Sequence, residues 1–160
     1  MESLSHKNLI NENNSQPILE EISPGCFFYK EPINVNYIDQ NIINKLLVSL
    51  TSSNLKLGRI CLHQSYEDII QSMIIALHQD YLVNCHVHNG PEILKIIQGQ
   101  LLITERFDNG KTKEHLLSSQ DLLLLRLTEG VVHSVKSLSG WAVFLEIGNG
   151  PFDQNKTIYV

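Results

Sequence analysis

The chain has 160 residues, of which 42% are hydrophobic and 18% charged, with a formal net charge of −5. This length suits one domain with a sizeable core, and an acidic chain without a Lys/Arg cluster argues against nucleic acid or an anionic membrane surface as a partner. No apolar run reaches the roughly 20 residues of a membrane-spanning helix.

The segment Met1-Glu2-Ser3-Leu4-Ser5-His6-Lys7 lacks the apolar stretch of a secretory signal, so the expected location is cytoplasmic. Residues 1–16 are polar and Asn/Ser-rich, the pattern of a disordered or loosely docked tail. Residues 17–56 are expected to supply a strand and a helix that pack on a barrel. The strand falls within 22–29, around Phe27 and Phe28, after the Pro24-Gly25 turn. Ile38, Ile42, Ile43, Leu46, Leu47 and Leu50 recur at a 3–4 spacing, which predicts an amphipathic helix over 38–51. Asp39 favours its first turn.

From 57 to 160 the pattern is one of strands and turns. Strands are predicted at 59–63, 69–77, 81–88, 93–97, 100–107, 114–117, 121–127, 131–138 and 141–147. The apolar run at 69–77 fits either a helical or a strand period, and its β-branched content favours the strand. Asp108-Asn109-Gly110-Lys111 is a strong hairpin signal and Ser139-Gly140 a weaker one. Eight or nine short strands without an internal repeat imply an all-β fold with one minor helix, a sandwich or barrel of the jelly-roll kind. Cys26, Cys61 and Cys85 are odd in number and widely spaced, so they suggest neither a disulfide framework nor a zinc ribbon.

The most informative residues are His86, His88, Glu92 and His133. They form His-X-His-X3-Glu-X6-Gly, ending at Gly99, and a later Gly-X2-His from Gly130 to His133. On a strand, His86 and His88 point to one face. The Asn89-Gly90-Pro91 turn would bring Glu92 back beside them. Cys85 should then face away, as a small buried hydrophobe. Three imidazoles and a carboxylate suit a divalent first-row transition metal: Fe, Zn, Mn or Ni.

These residues resemble the two motifs of the cupin superfamily. The first motif matches except that Asp80 stands in place of its leading glycine. The second matches at Gly130 and His133, with Leu122, Thr128 and Ser137 at its other positions. The resemblance implies a single cupin β-barrel holding a metal on His86, His88, Glu92 and His133.

Residues 59–152 also resemble the WbuC-type cupin-fold metalloproteins, which are associated with bacterial O-antigen and other surface-polysaccharide gene sets. That likeness runs from Arg59-Ile60-Cys61-Leu62-His63, through Gln71-Ser72-Met73 and Ile75-Ala76-Leu77, to Glu146-Ile147-Gly148-Asn149-Gly150-Pro151-Phe152. Gly148 stands where the family usually has lysine and Phe152 where it usually has tyrosine. Cys85 and Val87 replace its usual Pro and Arg around the paired histidines.

Arg59 and His63 lie four apart on a predicted strand and share a face. Turned inward, Arg59 would hold a carboxylate or phosphate, and His63 would serve as acid or base. Gln71 is either a polar liner of the same cavity or a structural hydrogen bonder. Glu146, between Leu145 and Ile147, is expected to point inward beside a histidine ligand, with Arg126 as its partner. Tyr81 reads as a packed aromatic and Trp141 as a cap on the core. His6, His78 and His115 carry no expected role.

The leading expectation is a small metalloenzyme acting on a sugar or sugar-nucleotide intermediate, by isomerisation or epimerisation next to a carbonyl. An Fe(II)-dependent oxygenase on a small metabolite and a non-catalytic ligand-binding barrel are the alternatives. A homodimer is expected, with a small molecule as the other partner.

Overall fold

The computed structural model describes residues 18–30, 37–151 and 158–159. The expected N-terminal tail and Phe152 lie outside them. The described residues form strands β1 (Leu19–Ser23) and β2 (Cys26–Tyr29), helix α1 (Gln40–Ser52), and strands β3 (Leu57–Cys61), β4 (Ile70–His78), β5 (Leu82–Val87), β6 (Glu92–Gln98), β7 (Gln100–Arg106), β8 (Thr112–Ser118), β9 (Leu124–Leu127), β10 (Val132–Ser137), β11 (Trp141–Asn149) and β12 (Ile158–Tyr159).

The strands form two sheets. One has seven strands in the order β1-β2-β3-β4-β11-β6-β9, and the other has five in the order β12-β5-β10-β7-β8. Their inner faces meet over Ile75, Leu77, Leu94, Ile96, Leu101, Ile103, Leu117, Val135 and Phe144. This is a single cupin jelly roll, as the sequence pattern implies.

The larger sheet is covered on both sides along β3, β4 and β11. Along β4, Ile75 and Leu77 enter the core between the sheets, while Ile74 and Ala76 face the helix side with Ile60 and Val143. This double burial explains why 74–77 shows no polar alternation: neither face of that stretch meets water. Helix α1 closes that outer side with Ile42, Ile43, Leu46 and Leu50. Asp39 is its N-cap, and its carboxylate accepts from the Ile42 amide at 2.9 Å.

Two expectations need adjustment. The expected Pro24-Gly25 turn is present, but it joins two strands, β1 and β2, as a hairpin rather than preceding one. That hairpin continues the larger sheet, because β2 pairs in parallel with β3. Tyr81 is exposed in the turn before β5 rather than packed. Trp141 does pack on the helix-side cluster, with its ring 4.9 Å from that of His78.

Candidate metal centre

The site begins with an irregularity in β5. Val83 pairs with Val135 and His86 with His133, so three steps on β5 match two on β10. The extra residue is a β-bulge. It turns both Val83 and His86 into the cavity, and it leaves Asn84 and Cys85 on an outer pocket with Leu82 and Ser134. Cys85 therefore faces away from the histidines, although it is half-buried rather than buried. His88 follows two residues after His86 and points the same way. His133 enters from β10, directly across from His86. Glu92 opens β6 and comes from the opposite sheet.

One ring nitrogen from each of His86, His88 and His133 lies within 4.8 Å of the other two. Glu92 Oε1 is 3.1 Å from His88 Nε2, and Glu92 Oε2 is 3.4 Å from His133 Nε2. His133 is 2% exposed and Glu92 5%. His86 Nδ1 donates to the Asn84 carbonyl at 2.8 Å, and His133 Nδ1 donates to the Val131 carbonyl at 3.1 Å. These bonds fix the tautomer in both rings and leave each Nε2 lone pair free to ligate.

The electrostatics favour a cation here. Burial holds the His86 imidazole below its ordinary pKa. Burial and the neighbouring histidines bring His88 down to about 4. Burial, with His86 beside it, brings His133 down to about 4 as well. All three rings are neutral at pH 7, the form that binds metal. Burial, together with the Glu146 carboxylate, pushes Glu92 up to about 9. A carboxyl group so reluctant to ionise is stabilised as an anion by a divalent ion beside it. The four residues thus fit a transition metal by donor chemistry, tautomer and charge.

They line a cavity of about 840 Å³ that Arg59, Gln71 and Glu146 also border. Glu146 projects from β11 on the same side as Phe144, as expected. Burial raises it to about 7 against the opposing charge of Arg59. Arg126 is not its partner. Register pairs Arg126 with Ile93, whereas Leu125 and Leu127 pair with the inward-facing Leu94 and Glu92. Arg126 therefore lies on the exposed outer face, and the cation on Glu146's side is Arg59.

Gln71 is buried, and its Nε2 donates toward the carbonyls of Ser65 (3.2 Å), Tyr66 (3.3 Å) and Asp68 (2.8 Å). Its amide thus pins the loop between β3 and β4, which fits the structural alternative. His63 does not line the cavity. It packs edge-on to Phe28 with ring centroids 5.4 Å apart. Its Nδ1 sits against the Ser72 backbone, 2.9 Å from the carbonyl and 3.2 Å from the amide.

Two features escaped the sequence reading. Tyr159, on β12, pairs with His86 and borders the cavity, with its ring 6.0 Å from the His86 ring. The aromatic and β-branched run at the C-terminus was its only signal. Gly148 shares the inward side of β11 with Glu146 and leaves space beside Glu92. A Cβ there would stand 4.0 Å from Glu92 Cγ.

A family model described as "Domain of unknown function (DUF6016)" matches residues 38–117, half of the chain. The chain belongs to the DUF6016 family. The match runs from α1 into β8 and includes His86, His88 and Glu92 but not His133. No curated protein sequence matches this DUF6016 chain.

Solved structures of oxalate decarboxylase are similar to it in fold. The Bacillus subtilis enzyme at pH 4.6 is 23% identical with a TM-score of 0.51, over 59% of this chain and 24% of that one. A structure concerned with the substrate binding mode and a reaction specificity switch of oxalate decarboxylase is 19% identical with a TM-score of 0.52, over 65% and 27%. A third, from a study of the Mn(II) centres of the B. subtilis enzyme, is 22% identical with a TM-score of 0.50, over 58% and 24%. The chain thus spans about a quarter of the length of the decarboxylase chains it matches. Among the described residues no helix is long and apolar enough to cross a membrane.

Proposed function

We propose that the protein is a metalloenzyme acting on a small, singly anionic sugar derivative. The observation that carries this reading is the set of three neutral imidazoles and one carboxyl group gathered at the wall of an open cavity. A divalent metal held by His86, His88, Glu92 and His133 supplies Lewis acidity toward a substrate carbonyl or hydroxyl oxygen.

Arg59 is the one lysine or arginine among the described lining residues. One guanidinium matches one carboxylate or phosphate by a bidentate contact. A nucleoside diphosphate calls for more cations, which favours a sugar acid or sugar monophosphate over a sugar nucleotide. Glu146, held near pH 7 by burial, is suited to carry the proton in an isomerisation next to a carbonyl. It takes the part that the sequence reading gave to His63. The place in surface-polysaccharide synthesis is supported by the WbuC-type resemblance, and the open space at Gly148 leaves room for substrate where that family carries a lysine.

Elemental analysis of untagged protein, beside His133→Ala, tests the metal first. A near-stoichiometric transition metal that is lost in the variant supports the centre. Turnover assays on aldose and ketose acids and monophosphates then test the reaction. Oxygen consumption by an iron-loaded sample would favour an oxygenase instead. Ligand retention without turnover of any substrate would favour a binding barrel.

A further inference from the structure

A second group of reactive side chains borders the cavity apart from the histidines. The parallel pairing of β2 with β3 sets Cys26 opposite Arg59, and Phe28 opposite Cys61. Arg59 and Cys61 are two apart on β3 and share a face. Arg59 Nε donates to Cys26 Sγ at 3.4 Å, and the Cys61 side chain lies beside the same sulfur. Cys26 is 3% exposed, yet it borders the cavity, and the equally buried Cys61 does not.

Other charged or titratable groups surround this sulfur. Tyr66 and His63 approach from the segment after β3, and the Ser23 hydroxyl from β1. Glu146 faces Arg59 from β11. Glu21 on β1 is engaged with the Gly25 amide at 2.7 Å. A guanidinium donating to this sulfur favours its anionic, nucleophilic form.

We propose that Cys26 is a peroxide-reactive cysteine, held by Arg59 and Cys61 at a point of the cavity wall that a small peroxide reaches. In the step, the thiolate sulfur attacks one peroxide oxygen. An S–O bond forms, the O–O bond breaks, and the second oxygen leaves as hydroxide, which combines with the proton released when the thiol ionised to give water. Sulfur gives up two electrons and the peroxide accepts them, leaving Cys26 as a sulfenic acid. Cys61 is offset from Cys26 by two residues in register rather than directly opposite. That spacing disfavours a disulfide, which needs Cα atoms within about 7 Å, so Cys61 stays a thiol beside Cys26. The neighbouring Cys61 and the charge of Arg59 together draw the Cys26 thiol down to about 5, while Cys26 and burial push Cys61 up.

The full-length protein is alkylated with iodoacetamide from pH 6 to 8, and each cysteine is followed by peptide mass mapping. Cys26 is expected to react at a rate that changes less than about twofold, whereas an ordinary thiol with a pKa of about 8.5 accelerates roughly 80-fold. Arg59→Met should steepen the Cys26 profile. In a parallel sample, hydrogen peroxide with a sulfenic-acid-trapping 1,3-diketone should mark Cys26 before Cys85, which lies on the outer surface. The proposal is overturned by a Cys26 rate that climbs like an ordinary thiol's. Failure of Cys26 to react with either reagent, or prior marking of Cys85, overturns it equally. The wild-type profile decides the matter even where the variant fails to fold.

Discussion

Gly99 and Gly130 both sit at φ +80, but their surroundings differ, so the same substitution should cost different amounts. Nothing lies within 4 Å of a Cβ built on Gly130. Gly130→Ala therefore meets only the left-handed backbone penalty of about 1–2 kcal/mol. The stiffer unfolded chain offsets this by about 0.4–1 kcal/mol, leaving a net loss near 0.5–1 kcal/mol. A Cβ on Gly99 would collide with Ser139 Oγ and with the Trp141 carbonyl. Ser139 Oγ cannot swing away freely, because it accepts from the Gln100 amide at 3.1 Å and donates to the Trp141 carbonyl at 2.9 Å. Breaking both bonds adds about 1 kcal/mol each, and the carbonyl belongs to the β11 backbone. Gly99→Ala should thus cost about 3 kcal/mol. Urea unfolding measures both variants. At an unchanged slope of about 2 kcal/mol/M, the midpoint should fall by roughly 1.5 M for Gly99→Ala and by less than roughly 0.5 M for Gly130→Ala. Equal shifts in the two variants would refute the steric argument.

Four further outcomes are expected. A transition metal added at about 100 times its dissociation constant should stabilise the protein by about 2.7 kcal/mol, and thermal unfolding of His133→Ala should show almost none of that gain. In metal-free protein, Glu92 keeps a proton up to about pH 9 that the unfolded chain has released above 4.5, so stability should fall as pH rises from 6.5 to 9. His88 and His133 act in the opposite sense: unfolded histidines bind protons below pH 6.5 that the folded rings refuse until about 4, so stability is also lost on acidification through that window. Urea titrations across pH, with and without metal, check both trends, and a metal-free stability that rises above pH 6.5 would contradict the Glu92 assignment. Gln71→Ala should lose about 2–3 kcal/mol with its bonds to the loop carbonyls, whereas Arg126→Ala on the outer face should stay within about 0.5 kcal/mol in chemical denaturation.

The grouping of His86, His88, Glu92 and His133 was legible because their chemistry is tied to spacing along a strand and across one turn, which sequence order preserves. Glu146 was legible too, since a carboxylate between Leu145 and Ile147 has to face inward or break the alternation. Its partner was not. Arg126 and Arg59 are both cations flanked by apolar residues, and only register tells which side of the sheet each one takes. His63 failed for a related reason. β3 ends at Cys61, so counting in twos from Arg59 loses its meaning before it reaches residue 63. The bulge in β5 was also hidden: it shifts Val83 and Asn84 between faces without altering the His86–His88 spacing. The reactive environment of Cys26 depends on a parallel pairing between segments more than 30 residues apart, which no local pattern reports.

Glu92 belongs to the seven-stranded sheet, whereas His86 and His133 belong to the five-stranded one. An ion shared among them would act as a rivet between the two layers. Without it, the contacts of Glu92 with His88 and His133 are what is seen to join the layers at this ligand cluster, and the layers can separate at that end before the core gives way. Amide hydrogens at the start of β6 and the end of β5 should then exchange together, as one opening unit. Metal should slow both by the same factor, while leaving the exchange of α1 and β3 unchanged.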